Sequence, residues 1–268
     1  GIKVPDGFAV TAHAYQIFLK EAGHEEKIAQ ILSSLNKDSI EDLKEKGEEI
    51  RQLILSSTIP ASISESIKDA YRKLCEKYGE NTDVAVRSSA TAEDLPGASF
   101  AGEQETFLNI SGAENLLESV KKCFASLFTD RAISYREDKG FAHMKVYLSV
   151  GIQKMARSDM GSSGVAFTID TETGFDKVVI INSSYGLGEM IVQGKVTPDE
   201  FIIFKPALEK GFKSIISKKL GDKNKKMIYE GQNQIKEVDI SPEDKNKFSL
   251  SDEEVLILSG WCIKIEKY

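Results

Sequence analysis

Cysteine, tryptophan, histidine and proline are all scarce in this chain, with three, one, three and six copies in 268 residues. Cys75, Cys123 and Cys262 are odd in number, far apart and set in helical-looking sequence, which excludes a disulfide framework and a zinc set. They read as core or reduced thiols of a cytosolic, and hence cytoplasmic, protein. No apolar run approaches the roughly 20 residues that cross a bilayer, and the segment from Gly1 is not a signal peptide. A net charge of −7 leaves no general basic footprint, so neither nucleic acid nor an anionic membrane is the expected partner. Any anion site must be a local basic pocket in an acidic protein. Neither Gly-x-x-x-x-Gly-Lys-Ser/Thr nor Gly-x-Gly-x-x-Gly occurs.

The most informative stretch that is present runs from Val84 to Leu108. Asp83 to Val86 reads as a short buried strand, and Arg87 stands where it opens into a loop of small residues. A guanidinium on such a fixed base can hold two oxygens at once, and each charge-assisted hydrogen bond is worth about 1.5–3 kcal/mol. Ser88, Ser89, Ala90, Ala98, Ala101 and Gly102 leave backbone N–H groups accessible to an anion, and Gly102 permits close approach. Thr106 can offer a hydroxyl to the same anion, or simply begin a strand with Phe107 and Leu108. The loop also reads as an ordinary Ser/Gly-rich turn whose arginine caps a helix or pairs with Glu93 or Asp94.

The pattern along the chain changes near its middle. Thr11 is expected to cap a helix reaching toward Leu32, Asp38 or Ser39 to open a second that Pro60 stops, and Ser62 with Glu65 to form a capping box for a third that exits at Gly79. Ser111 or Gly112 starts a longer helix past Arg131 toward Tyr135, in which the basic residues of Arg131–Arg136 read as a solvated face. After His143 the period shifts to strands at Val146–Ile152, Ser163–Ile169, Val178–Asn182 and Phe201–Phe204, with a meander from Phe212 to Val238. A last helix spans Asp252–Glu266, capped by Ser251. Lys218, Lys219, Lys223, Lys225 and Lys226 read as a solvated hairpin tip. The fold class is therefore α+β, with a helix-rich lobe over 1–143 and a strand-rich lobe over 144–268. Gly186-Leu187-Gly188-Glu189 follows a strand; its backbone could face a phosphate and Glu189 could hold Mg²⁺, or the glycines could merely serve a tight turn.

The run from Val86 to Leu108 resembles the nucleotide-binding domain of the phosphoenolpyruvate synthase (pyruvate, water dikinase) family, a branch of the ATP-grasp enzymes related to pyruvate phosphate dikinase and rifampin phosphotransferase. Matching blocks follow in the family's order at Gly1–Phe8, Val150–Met155, Gly161–Thr168, Tyr185–Glu189 and Gly194–Phe201. The resemblance implies an ATP-grasp-like fold whose two lobes hold ATP in the cleft between them. By position it implies Arg87 on the ATP phosphates as the catalytic cation, Gly102 and Thr106 lining the phosphate side, and Gln153 at the adenine end; read from the residues alone, Gln153 is a surface glutamine after a strand. ATP and Mg²⁺ are the implied cofactors. A phosphohistidine domain and a pyruvate-binding domain of the same enzyme are the implied partners, and phosphoenolpyruvate, AMP and phosphate the products. A related phosphotransferase acting on a rifamycin-type acceptor, or a non-catalytic nucleotide-binding module, is the alternative. The family's leading lysine segment and its later acidic strand with metal ligands are not matched in this chain, which looks like a fragment. None of His13, His24 or His143 lies in a Thr-Ser-His setting, so all three read as surface or helix residues.

Overall fold

The structure, a computed structural model, describes residues 1–36, 39–91, 105–231 and 234–268. It divides into two compact units, Val4–Met155 and the combination of Gly1–Lys3 with Ala156–Tyr268. The division follows the last strand of the first unit rather than the change of period at His143, because that strand pairs with elements from the beginning of the chain.

In the unit Val4–Met155 the order is β1 (Gly7–Val10), α1 (Ala12–Glu21), α2 (His24–Ser33), α3 (Ile40–Leu55), α4 (Ala61–Tyr78), β2 (Val84–Ala90), β3 (Thr106–Ile110), α5 (Ala113–Ser126), α6 (Asp130–Lys139) and β4 (Leu148–Lys154). The sheet runs β1-β4-β2-β3 with every neighbour antiparallel. Its alternation is plain in β4, where Leu148, Val150 and Ile152 are buried while Ser149, Gly151 and Gln153 are half-buried. Successive strand side chains point to opposite faces. The apolar face, with Val84 and Val86 of β2, packs against Tyr15 and Phe18 of α1 and Leu116, Val120 and Phe124 of α5. Each fully buried side chain of this size contributes about 1.5–3 kcal/mol, so the helices are fixed to that face, while Gly7, Ala9, Arg87 and Thr106 on the other are exposed.

Several local expectations are corrected. The first helix breaks into α1 and α2 at Gly23, whose φ of 67° ends one helix and starts the next. Thr11 caps α1 as expected, accepting from the Ala14 N–H at 3.3 Å. Pro60 is the N-cap of α4, not the stop of α3, which has already ended at Leu55. No side-chain cap bonds the start of α4, so the Ser62–Glu65 box does not form. Ser39 caps α3, and the alternative cap, Asp38, lies outside the described residues. The long helix toward Tyr135 is likewise two, since Thr129 turns extended and caps α6. Arg136 is not on a solvated face: it is fully buried, with its Nε donating to His143 Nδ1 at 2.9 Å and its guanidinium 5.5 Å from the Phe128 ring centre.

The second unit is built on β5 (Ser162–Phe167), β6 (Val178–Tyr185), β7 (Asp199–Phe204) and β8 (Ile215–Lys219), antiparallel and in sequence order. Short helices α7 (Glu189–Val192), α8 (Lys205–Glu209) and α9 (Pro242–Lys245) accompany it. The meander does not continue past β8, because β9 (Lys225–Tyr229) and β10 (Ile235–Asp239) form their own two-stranded sheet. Helix α10 (Asp252–Glu266) lays Val255 and Ile263 on Val179, Ile181, Phe201 and Ile203. Ser251 and Glu254 close a capping box at its start.

Lys223 is the largest departure from the expected solvated tip. It is fully buried and donates to Asp199, whose carboxylate also accepts from the Gly221 N–H at 2.9 Å, the Ser249 N–H at 2.7 Å and the Ser249 hydroxyl at 2.7 Å. Lys218 is also engaged, 2.9 Å from Asp252.

Candidate functional site

The open face of the sheet in Val4–Met155 gathers the polar positions that the sequence singled out. Arg87 lies opposite Thr106 of β3 on one side and opposite Gly151 of β4 on the other. Residues directly opposite in a ladder share a face, and so do residues two apart on one strand. Arg87, Thr106, Gly151 and Gln153 therefore stand on one surface, together with Gly7 and Ala9 of β1, which pair with Gln153 and Gly151. A pocket of 470 Å³ lies on that surface between Pro5, Ala9, Arg87, Gly151 and Gln153.

Arg87 does not sit at the end of the strand. β2 runs on to Ala90, because Ser88, Ser89 and Ala90 continue the ladder with Val150, Ser149 and Leu148 and the buried pair Ala90–Leu148 anchors it. The guanidinium is thus planted mid-strand, with ladder bonds on both sides of its backbone. It is exposed, and it makes no hydrogen bond or ion pair with another described residue. Thr106 is exposed as the first residue of β3. Gly102, Glu93 and Asp94 lie outside the described residues.

The Gln153 corner of this face is held by a latch with no sequence motif to mark it. Asp6, just before β1, accepts from Lys77 and, at 2.5 Å, from the Tyr78 hydroxyl, both at the end of α4. These two bonds hold its carboxyl below the usual carboxylate range. With Asp6 fixed, the Pro5 carbonyl reaches Gln153 Nε2 at 3.4 Å. Tyr71 of α4 does the same service one layer deeper. Its hydroxyl donates to the Thr82 carbonyl at 2.8 Å and accepts from the Gly112 N–H at 2.9 Å, joining the approach to β2 with the start of α5. Burial pushes that hydroxyl up to about 12, so it remains a donor at neutral pH.

In the other unit, the Gly186–Glu189 turn has a packing reason for its first glycine. Gly186 has φ of 85°, and a Cβ there would come 2.6 Å from the Met227 carbonyl of β9, which accepts from the Leu187 N–H at 2.9 Å. Glu189 opens the one-turn helix α7 and accepts from Gln193 Nε2 at 2.6 Å. Among the described residues no three His, Cys, Asp or Glu side chains stand together as a metal ligand set.

Arg87 and Gln153 thus present a cation and an amide on one face, with Gly151 directly across from Arg87 and two residues before Gln153. Residues 1–268 match the family model described as pyruvate phosphate dikinase, AMP/ATP-binding domain, and the chain belongs to that family. Within it, the chain is similar to proteins named phosphoenolpyruvate synthase. It is 58% identical over 270 residues to that of Aquifex aeolicus, 51% over 275 to that of Synechocystis sp. and 47% over 272 to that of Escherichia coli, in each case across the whole of this chain. The same alignments cover 32%, 34% and 34% of those proteins, so the chain spans about a third of the length of the curated relatives it matches. No helix among the described residues is long and apolar enough to cross a membrane.

Proposed function

We propose that this chain is the ATP-binding part of a phosphoenolpyruvate synthase, an ATP-grasp-type phosphotransferase. The full-length enzyme passes the β-phosphoryl of ATP through a histidine on another of its domains to pyruvate while water takes the γ-phosphoryl, giving phosphoenolpyruvate, AMP and phosphate. The observation that carries this reading is the shared face of Arg87, Thr106 and Gln153 in a chain whose family is described as AMP/ATP-binding. Gln153 takes the adenine edge, Arg87 the phosphate oxygens, and Thr106, directly opposite Arg87, adds a hydroxyl to the same oxygens. The resemblance adds Gly102 and Glu189 to the expected nucleotide contacts.

In phosphoryl transfer the protein chiefly positions the reactants and neutralises charge. Arg87 suits that task because its base is locked by ladder bonds to two neighbouring strands while its head is unpaired among the described residues. Mg²⁺ arrives with ATP as part of the substrate. The reading is tested by incubating the full-length protein with MgATP. Pyruvate-dependent formation of AMP and phosphoenolpyruvate is expected, whereas release of ADP alone, or AMP formation indifferent to pyruvate, would reject it.

A further inference from the structure

Gly151 occupies the middle of β4, itself the second strand of a four-stranded sheet, between Ala9 on β1 and Arg87 on β2. Glycine in a strand interior weakens the strand, and it usually marks a bulge, a bend or a close approach by something else. None of the local reasons applies. The ladder with β2 and β1 runs through Gly151 in unbroken register, and its φ lies outside the left-handed region. Among the described residues, a Cβ built on it would meet only the Arg87 carbonyl oxygen, at an ordinary 3.8 Å. Gly7, its neighbour on the same face, is the opposite case: a Cβ there would run into the Ile152 carbonyl at 2.2 Å, so the backbone itself demands glycine. The described residues leave room for a side chain at 151, which lines the 470 Å³ pocket and carries none.

We infer that Gly151 determines what the site can accept, by keeping the floor flat beneath the ribose of the bound nucleotide. This rests on the nucleotide-binding reading given above. Gln153 is two residues along β4, about 6.7 Å away at the usual rise of a strand, and Arg87 is directly across. A ligand with its base at Gln153 and its first phosphate at Arg87 must lay its sugar over Gly151. The sugar is common to adenosine, AMP and ATP, so bulk at 151 penalises all three alike, whereas Arg87 acts only on ligands that carry phosphate. Strands favour bulky and aromatic residues over glycine, so the enlarged variants keep the fold.

The test is calorimetric titration of the full-length protein and its Gly151→Ala, Gly151→Leu and Gly151→Phe variants with adenosine and with MgATP. Affinity is expected to fall with side-chain size, by less than about threefold for alanine and more than tenfold for phenylalanine, equally for both ligands, with the unfolding midpoint unchanged or raised. Should the phenylalanine variant lower that midpoint, the leucine variant decides on the same criterion. Wild-type affinity in the folded bulky variant, or a loss confined to ATP, overturns the inference while leaving the nucleotide site standing. A wild-type protein that binds neither ligand overturns both.

Discussion

At the scale of single residues, the chain uses burial to fix protonation states away from the site. His24 is 6% exposed, bonded through Nε2 to the Ser57 hydroxyl, which itself donates to the Leu53 carbonyl at 2.8 Å. The Ser57 oxygen is therefore the acceptor and the ring the donor, leaving Nδ1 buried without a partner among the described residues. Protonating Nδ1 would place an unpaired charge in the core, and desolvation, with the Lys27 charge adding to it, holds His24 below the usual histidine value of 6.5. Because the folded value is depressed, this neutral histidine contributes stability above pH 6.5 that is lost as pH falls toward and through the folded value. The loss of urea stability between pH 7.5 and pH 5 should be smaller in His24→Gln, whose amide can still donate to Ser57, than in the parent. An identical pH dependence in the two proteins would exclude His24 as a source of it.

At the scale of elements, β7, the 221–223 segment and the entrance to α10 are tied by one carboxylate. Asp199 and Lys223 are both fully buried, and Ser249, bonded to Asp199, also meets the Ser183 hydroxyl of β6 at 2.7 Å. Breaking a buried pair from one side leaves the other charge unpaired and costs about 3–5 kcal/mol. Asp199→Ala should lose that much in equilibrium unfolding of the strand-rich unit; a loss under about 1 kcal/mol would contradict the network's role. The site's strands were legible in the sequence because their alternation and small-residue loop are local signals. Asp199 and Lys223 were not, because a lysine-rich segment looks solvated until a distant carboxylate is placed beside it. The same blindness applied to Arg136, whose neighbours Phe128 and His143 come from flanking elements. Helix ends were misjudged where one residue decided them, as at Gly23 and Thr129, since the apolar stripe runs across both breaks. Gln153 is singled out by the resemblance alone, and that Arg87, Thr106 and Gln153 share a face depends on strand register, which no local motif specifies.

At the scale of the whole molecule, the proposed nucleotide lies on the face of the β1-β4-β2-β3 sheet that carries Arg87, and helices pack on the opposite face. The relatives are about three times as long, and in the reading proposed here the remaining length supplies the histidine carrier and the pyruvate site. In that same reading this chain supplies the grip on ATP, and Arg87 is its proposed centre. The most direct measurement is the affinity of the full-length Arg87→Ala protein for MgATP and for adenosine. Removing charge-assisted bonds worth about 1.5–3 kcal/mol each predicts at least a tenfold loss for ATP, with adenosine binding and the unfolding midpoint unchanged. Undiminished ATP affinity in a folded Arg87→Ala protein would contradict the account.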